Sequence, residues 1–281
     1  MGPTISDAVD LWHNPHNLLG LHDSSDGQKF VRLYRPGAEV VHFELFGNSI
    51  SASKTDVPGL FQAKVPLQTT YKDYQVYHQN GLLACDPYAF SPTFGEMDSY
   101  LYSRGVHYKL YEVLGAHPCN HQEVAGVKFA VWAPNAKSVA LVGDFNFWDG
   151  RANPMRNMGH GGVWELFVPG LSLGEKYKFE IKTQAGNIRL KADPFANFSE
   201  MRPATASIVV DVDRYQWRDG EWMQKRSSQN RSSYPLNVYE VHLGSWKKRG
   251  HHFLNYREIA CELAKYCIEM GFTHVELMPI E

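Results

Sequence analysis

The sequence predicts a multidomain chain: two tandem all-β sandwiches followed by the first β-α-β unit of a truncated (β/α)8 barrel. Three observations support this prediction. A set of landmarks recurs once along the chain, both copies alternate apolar and polar residues with a period of two, and the last residues show a strand-helix-strand pattern. The chain has 281 residues, of which 43% are hydrophobic, so it is long enough for about two domains with their own cores.

Residues 12–90 and 108–197 share the same landmarks in the same order. The pairs are Leu19-Gly20-Leu21-His22 with Leu114-Gly115-Ala116-His117, Arg35-Pro36-Gly37-Ala38 with Ala133-Pro134-Asn135-Ala136, Val65-Pro66 with Val168-Pro169, and Asp86-Pro87-Tyr88-Ala89 with Asp193-Pro194-Phe195-Ala196. The offsets between the copies are 95, 98, 103 and 107 residues, so they grow steadily. This pattern predicts one duplicated module whose loops are longer in the second copy.

Short strands are predicted in each copy. Apolar residues alternate with other residues over 127–132 and again over 177–182 of the second copy, which predicts strands with one buried face. In the first copy, residues 74–78 lead into Asn80-Gly81, a strong hairpin signal because both residues tolerate a positive φ. Several such strands separated by Pro, Gly and Asn favour a β-sandwich.

A helical segment and a polar linker separate the predicted domains. Residues 98–114 have a helical pattern and bridge the two modules, whereas residues 213–236 are polar and are typical of a linker. We place the domains as follows: the first sandwich at 1–107, the second at 108–222, a linker at 223–236, and the barrel start at 237–281.

The last segment predicts a strand over 237–246, a helix, and a second strand over 273–280. Asn255 and Glu258 are spaced as a capping box at the start of the helix, and Gly271 is placed to end it. A strand-helix-strand order implies a parallel pair with a right-handed crossover. Two strands and one helix leave apolar faces open, which predicts the beginning of a larger barrel.

Composition excludes several classes of function. The net charge is −2, which argues against nucleic acid as a partner, and no apolar run approaches the roughly 20 residues that cross a bilayer. The first residues do not resemble a signal peptide. Four cysteines without metal-type spacing indicate reduced thiols, and the adjacent His251 and His252 lack a third ligand. We therefore expect a cytoplasmic protein with no membrane contact and no metal, and we also expect a monomer.

Several motifs resemble the front half of bacterial glycogen branching enzymes, over nearly the whole chain. They are LGAHP at 114–118, VWAPNA at 131–136, GDFNFWDGRANPM at 143–155, YEVHLGSW at 239–246 and GFTHVELMPIE at 271–281. The resemblance implies two carbohydrate-binding, immunoglobulin-like sandwiches followed by an α-amylase-superfamily barrel that acts on α-glucan. It also implies that no cofactor is required. Alternatives are a debranching or trehalose-forming hydrolase of the same superfamily, or a non-catalytic glucan-binding protein.

The resemblance also implies where the chemistry lies. Members of that family break an α-1,4 link with retention and pass the glucan to a 6-hydroxyl, using carboxylates near the ends of later barrel strands. Those positions are expected beyond Glu281, so we assign no catalytic residue and expect this chain by itself to be inactive. Glu240, Glu276 and Glu281 lie on or after the first two barrel strands, and we reject them as catalytic groups.

Two tryptophans are candidates for contact with glucan. Trp148 lies in the Gly143–Met155 loop, where the second copy is longer than the first, and its flat indole could stack on a sugar ring. The alternative is packing against Phe145 and Phe147. Trp246 follows the first barrel strand, near the end where barrel active sites form, and its alternative is packing in the barrel core or between domains.

Overall fold

The protein is described by a computed structural model that covers residues 10–24, 27–159, 161–228 and 234–280. Two compact units are present, Met1–Tyr215 and Gln216–Glu281. Residues 229–233 of the predicted linker, and Glu281, lie outside the described residues. Within the part of the chain that is described, no helix is both long and apolar enough to cross a membrane.

The first copy of the repeat forms one continuous sheet of seven strands with the order β1-β2-β5-β4-β3-β6-β7. Its elements are helix α1 (Asp10–His13), β1 (Gly20–Asp23), β2 (Lys29–Tyr34), β3 (Val41–Leu45), β4 (Asn48–Lys54), β5 (Leu60–Val65), β6 (Tyr74–Tyr77) and β7 (Leu83–Ala84). Strand β4 pairs with β3 along most of its length and with β5 at its end. The two halves of the sheet therefore enclose a single core, in which Val31, Phe43, Phe61 and Tyr74 are fully buried.

The second copy forms two sheets of four strands. Its elements are α2 (Glu96–Ser103), β8 (Gly115–His121), β9 (Val124–Trp132), β10 (Ala136–Gly143), β11 (Arg156–Asn157), β12 (Val163–Pro169), β13 (Lys176–Thr183), β14 (Ile188–Lys191) and β15 (Ser207–Ile208). One sheet has the order β11-β12-β9-β8, and the other has the order β10-β13-β14 with β15 also paired to β13. Buried side chains of both sheets face each other, which makes a sandwich.

Strand order confirms that the two copies are one duplicated module. Strands β8, β9 and β12 pair as β1, β2 and β5 do, and β10, β13 and β14 pair as β3, β6 and β7 do. The counterpart of β4 is interrupted: Pro154 forms a bridge to Ala140 of β10, and β11 then pairs with β12. The increase in offset from 98 to 103 falls between the landmarks on either side of this interruption, so some of the predicted added residues lie beside β10.

The landmarks recur because they make the same contacts in both copies. Gly20 and Gly115 have φ of +92° and +101°, and a Cβ at Gly20 would lie 2.5 Å from the carbonyl oxygen of Tyr88. The ring Nε2 of the histidine two residues later lies 2.8 Å from the carbonyl oxygen of Leu19 in the first copy, and of Leu114 in the second. Positive φ and close backbone approach both select glycine at these positions.

A buried tyrosine-aspartate pair closes each copy. Tyr74 donates its hydroxyl to Asp86 Oδ2 at 3.0 Å, and Tyr177 donates to Asp193 Oδ2 at 2.5 Å. Each aspartate also accepts the backbone N–H two residues later, which fixes the Asp-Pro turn. The two tyrosines are therefore equivalent positions, a correspondence that the sequence landmarks do not include.

The first copy also contributes to the core of the second. Leu11, Leu19, Leu60 and Tyr88 belong to the same buried cluster as the interior of the second sandwich. A buried ion pair between Arg156 and Glu165 adds polar contacts at the same junction, because Glu165 accepts from Thr93 and Arg156 donates to the carbonyl of Phe90. A buried interface thus joins the two modules within one compact unit.

The segment between the modules is helical only in part. Helix α2 spans Glu96–Ser103, and a single 3-10 turn follows at Leu110–Glu112. The prediction of helix over 98–114 is therefore confirmed for its first residues and wrong for most of the rest. Tyr102 and Leu110 of this segment pack on the outer face of the β8–β9 sheet.

The second unit contains the predicted strand-helix-strand. Its elements are α3 (Gly220–Ser228), β16 (Val238–Val241), α4 (Leu243–Trp246), β17 (Lys248–Arg249), β18 (His252–Phe253), α5 (Tyr256–Met270) and β19 (His274–Leu277). Strands β16 and β19 pair in parallel. Asn255 and Glu258 form the capping box of α5, and Gly271 ends the helix with φ of +75°, as predicted.

One prediction in this unit is corrected, and one segment contains a helix that was not predicted. The strand expected over 237–246 ends at Val241, and Leu243–Trp246 is a helical turn in which the N–H of Trp246 donates to the carbonyl of His242. The polar stretch interpreted as a linker includes helix α3, which buries no residue. Glu, Met, Gln, Lys and Arg are good helix formers, so a polar exposed segment of this composition can be helical without a core to pack on.

Candidate functional site

The loop after β10 is held in place by the hydrogen bonds of a buried asparagine. Asn146 donates its side-chain amide to the carbonyl oxygen of Leu141 at 2.9 Å and to Asn153 Oδ1 at 2.8 Å, and accepts the N–H of Gly143 at 2.9 Å. These bonds join the two ends of the loop. Because the loop is already rigid, an exposed side chain that it carries does not have to be ordered when a ligand binds, which lowers the entropic cost of binding.

The two aromatic residues that follow occupy a strained conformation. Phe147 and Trp148 have φ of +52° and +60°, in the left-handed region that favours glycine. Such residues cost about 1–3 kcal/mol each and persist where the surroundings enforce them, often at functional sites. The indole Nε1–H of Trp148 donates to Asp144 Oδ1 at 2.9 Å, so the ring orientation is fixed from its own loop. Trp148 is half-buried, and Phe147 is exposed.

The loop lies against the outer face of β13. A Cβ at Gly150 would lie 2.2 Å from the carboxylate of Glu180, so the backbone of the loop contacts that side chain. Burial, and secondarily the negative charge of Asp149, raise the pKa of Glu180 above its usual value. Lys178 lies two residues before Glu180 and donates to Thr205 Oγ1 at 2.7 Å.

The neighbouring edge strand adds apolar groups to the same face. Leu190 and Ile188 of β14 pair with Glu180 and Lys182 of β13, and both apolar side chains are exposed. The loop therefore supplies an oriented indole, and the outer face that the loop contacts at Gly150 supplies exposed aliphatic groups, a carboxylate and an ammonium. We call Asp144, Trp148, Lys178, Glu180 and Leu190 the Trp148 surface.

The chemistry of the Trp148 surface suits a neutral polyol. An indole face packs on the apolar C–H face of a ring, whereas carboxylate and ammonium groups bond to hydroxyls at its rim. No three His, Cys, Asp or Glu side chains within the described ranges are grouped as metal ligands. The sequence analysis did not identify Asp144, which orients the Trp148 indole. The signal that was available is that Asp144 lies four residues before Trp148.

Trp246, the second predicted candidate, lies in the small core of the second unit. Its Nε1–H donates to the hydroxyl of Tyr239 at 3.1 Å, and its ring meets Tyr266 edge-on with centroids 6.0 Å apart. The same cluster contains Val241 and Leu263. Packing, the alternative stated for this residue, accounts for all of these contacts.

Two of the three carboxylates that were rejected as catalytic groups lie on neighbouring strands. Glu240 and Glu276 occupy paired positions on β16 and β19, and both are exposed. They lie within the strands rather than after their C-terminal ends, where barrel enzymes place catalytic groups. His251 and His252 are exposed on the β17–β18 hairpin.

Two families match separate parts of the chain. Residues 8–88 match the family described as the N-terminal domain of alpha-1,4-glucan branching enzyme GlgB. Residues 113–196 match carbohydrate-binding module 48, the isoamylase N-terminal domain. The matched ranges fall on the two copies of the duplicated module.

Curated relatives resemble the whole chain. The 1,4-alpha-glucan branching enzyme GlgB of Protochlamydia amoebophila is 58% identical over 271 residues, which cover 96% of this chain and 37% of the relative. The enzyme of the same name from Chlamydia felis is 49% identical over 267 residues, which cover 95% of this chain and 37% of the relative. The chain thus spans 37% of the length of either relative. A solved structure, a putative alpha amylase from Salmonella typhimurium, is 26% identical with a TM-score of 0.43, covering 60% of this chain and 25% of that one.

Proposed function

Given that this chain corresponds to the N-terminal portion of the GlgB branching-enzyme family, we propose that it binds the α-glucan on which the whole protein acts. The Trp148 surface supports this proposal most directly, because the indole is oriented by Asp144 and lies beside hydrogen-bonding groups on a module of a carbohydrate-binding family. In this proposal Trp148 stacks on a glucose ring, while Glu180 and Lys178 bond to hydroxyls.

The proposed activity of the whole protein is the transfer of an α-1,4-glucan segment to a 6-hydroxyl, which creates an α-1,6 branch. A retaining mechanism needs two carboxyl groups about 5–5.5 Å apart across the scissile bond. We place those groups outside residues 1–281 and expect the chain alone to form no branches. Its contribution is to hold the polymer close to the catalytic part, which raises the effective concentration of glucan chains there.

The second unit is proposed to begin a (β/α)8 barrel. Parallel pairing of β16 and β19 across helix α5 supports this assignment, as do the exposed apolar residues Val238, Val275 and Leu277 on the two strands. Parallel sheets are almost always covered on both faces, so further strands and helices are required. Trp246 belongs to this unit, and a role for it near the cleft of the complete barrel stays a proposal.

The remaining expectations form part of the same proposal. We propose the domain limits 1–107, 108–222 and 237–281, with a linker at 223–236. All four cysteines are free thiols, which supports a cytoplasmic location. A monomer is proposed, and light scattering during size-exclusion chromatography tests it.

Retardation of the chain in native gels that contain glycogen tests the proposed function. We expect the chain to be retarded, and Trp148→Ala to weaken the apparent affinity roughly fivefold to tenfold, as expected for the loss of one stacked aromatic. Trp222→Ala is the matched control, because Trp222 is exposed on α3, which belongs to the second compact unit. Equal mobility of the wild-type chain with and without glycogen would refute glucan binding.

A further inference from the structure

A groove in the first module has no role in the function proposed so far. It encloses about 590 Å³ and is lined by Glu44, Phe46, Gly47, Lys72, Gln75 and Leu83. Phe46 lies at the turn between β3 and β4, is 52% exposed, and has a φ of +48°. The groove therefore presents an aromatic side chain to solvent from a strained turn.

The register of the strands places this groove at the position of the Trp148 surface. In the first module Leu45 pairs with Tyr74, and in the second Gly143 pairs with Tyr177. The two tyrosines are equivalent, because each donates to the aspartate of its own Asp-Pro turn. Phe46, the residue after Leu45, thus occupies the place where the loop carrying Trp148 leaves its sheet.

The edge strands agree with this correspondence. Leu83 pairs with Tyr77 three residues after Tyr74, and Leu190 pairs with Glu180 three residues after Tyr177. Gln75 of the first module corresponds in the same way to Lys178 of the second. The groove around Phe46 and the Trp148 surface therefore each have an aromatic residue from the loop or turn, a polar side chain from the central strand and a leucine from the edge strand.

The groups in the first groove are suited to a sugar. Glu44 accepts the hydroxyl of Tyr77 at 3.1 Å and keeps its other carboxylate oxygen for a second donor. Gln75 is exposed and, among the described residues, its amide makes no hydrogen bond, so it can both donate and accept. The N–H of Phe46 donates to the carbonyl of Asp73 at 2.9 Å, which holds the strained turn in place.

The conformation of Phe46 adds a separate argument. A left-handed phenylalanine costs about 1–3 kcal/mol, and glycine or asparagine would relieve that cost in a two-residue turn. Half of the Phe46 side chain is in solvent, so packing of the described residues does not require a large ring there. Aromatic residues with a positive φ also occur at Phe147, which is exposed, and at Trp148, which is half-buried.

We propose that the groove around Phe46 is a second binding site for a short α-1,4-glucan segment. Phe46 stacks on one glucose ring, Leu83 packs beside it, and Gln75 and Glu44 bond to hydroxyls. The proposal rests on the proposed glucan binding of the second module. Since a buried interface joins the two modules within one compact unit, the two sites are held in a fixed relation, and a polymer that reaches both binds more tightly than an oligosaccharide that reaches one.

Amide chemical shifts of the full chain, titrated with maltoheptaose, test this site directly. We expect saturable shifts at Phe46, Gly47 and Gln75 that remain in Trp148→Ala and are lost in Phe46→Ala. In glycogen gels, Phe46→Ala should weaken the apparent affinity roughly twofold to tenfold. Leu67→Ala should leave it unchanged, because Leu67 is exposed on the same module and does not line the groove.

The outcomes separate this inference from the proposed function. Shifts confined to the Trp148 surface, with normal glycogen affinity of Phe46→Ala, would overturn the second site and leave the proposed function intact. A wild-type chain that shows neither shifts nor retardation would overturn both. If Phe46→Ala does not fold, the test uses the amide shifts of the wild-type chain and the glycogen affinity of Gln75→Ala. Groove amides that do not shift would then overturn the second site.

Discussion

Single residues explain why the landmarks of the two copies are shared. Gly20 combines a positive φ with a backbone contact that leaves no room for a Cβ, whereas Gly37 has a φ of +83° and open space around it. Asp86 is almost fully buried and accepts both the Tyr74 hydroxyl and the Tyr88 N–H. The first landmark is therefore selected by packing, and the last by hydrogen bonding in the interior.

Substitution of Gly37 and of Gly20 separates the energetic cost of a left-handed backbone from the cost of a steric clash at Cβ. Gly37→Ala should lower the free energy of unfolding by about 1 kcal/mol, because only the left-handed conformation is penalised. Gly20→Ala should cost roughly 3 kcal/mol or more, because its Cβ also meets the carbonyl of Tyr88. Urea unfolding monitored by circular dichroism measures both values. Equal losses would show that the contact at Gly20 is not a constraint.

Asp86 makes a predictable contribution to the pH dependence of stability. Burial raises its pKa to about 6, against the opposing effects of the Tyr88 N–H and Arg35. The folded state then holds a proton that the unfolded state has lost between about pH 4 and pH 6, so this group lowers stability as the pH rises through that window. His78 lies on the same side of the core with a pKa lowered to about 4, and it acts in the opposite direction.

Asp86→Asn should therefore remove the loss of stability that Asp86 causes as the pH rises, and leave the opposite contribution of His78. Relative to the wild type, the variant should gain roughly 3 kcal/mol in unfolding free energy between pH 4 and pH 7, because two pKa units correspond to about that much. Unfolding curves at both pH values give the difference. A constant offset between the two proteins across this range would contradict the assignment of the raised pKa to Asp86.

At the scale of elements, prediction succeeded where the signal is local. The capping box at Asn255 and Glu258 and the stop at Gly271 are short-range patterns, and helix α5 begins and ends where they indicate. The Asn80-Gly81 hairpin is likewise present between β6 and β7. The end of β16 at Val241 was missed, since alternation of apolar residues continues through Leu243 although the backbone turns there.

The cap of α5 provides a test in the second unit. Asn255 accepts the N–H groups of Arg257 and Glu258 at 3.0 Å each, so Asn255→Ala should destabilise the helix by about 1 kcal/mol. Hydrogen exchange of the first turn of α5 should accelerate accordingly. Asn255→Asp keeps the acceptor oxygen and should exchange at the wild-type rate, and similar acceleration in both variants would argue against the cap.

At the scale of the whole molecule, the duplication could be found from sequence but its consequences could not. Shared landmarks were visible because each is a short run of consecutive residues that recurs in the same order. The equivalence of Tyr74 and Tyr177 and the groove at Phe46 depend on strand register, which joins residues far apart. The sequence indicated Trp148, but the orientation of its indole by Asp144 and the contact of its loop with Glu180 at Gly150 required the fold.

The buried ion pair at the module junction is a further test at this scale. Arg156 and Glu165 are both buried, and Glu165 also accepts from Thr93. Arg156→Met should cost about 3–5 kcal/mol, since it leaves the Glu165 charge without its partner. Adding Glu165→Gln should recover much of that loss in thermal unfolding. A double variant less stable than Arg156→Met would show that the uncompensated charge is not the cause.

Glucan binding at the Trp148 surface is tested most directly by the indole N–H signals of the full chain. The chain has seven tryptophans, and the signal absent from the spectrum of Trp148→Phe identifies the indole that donates to Asp144. On titration with maltoheptaose, that signal should shift and saturate, whereas the Trp222 indole on α3 should not move. A Trp148 signal that stays in place while glycogen still retards the chain would contradict the assignment of glucan binding to this surface.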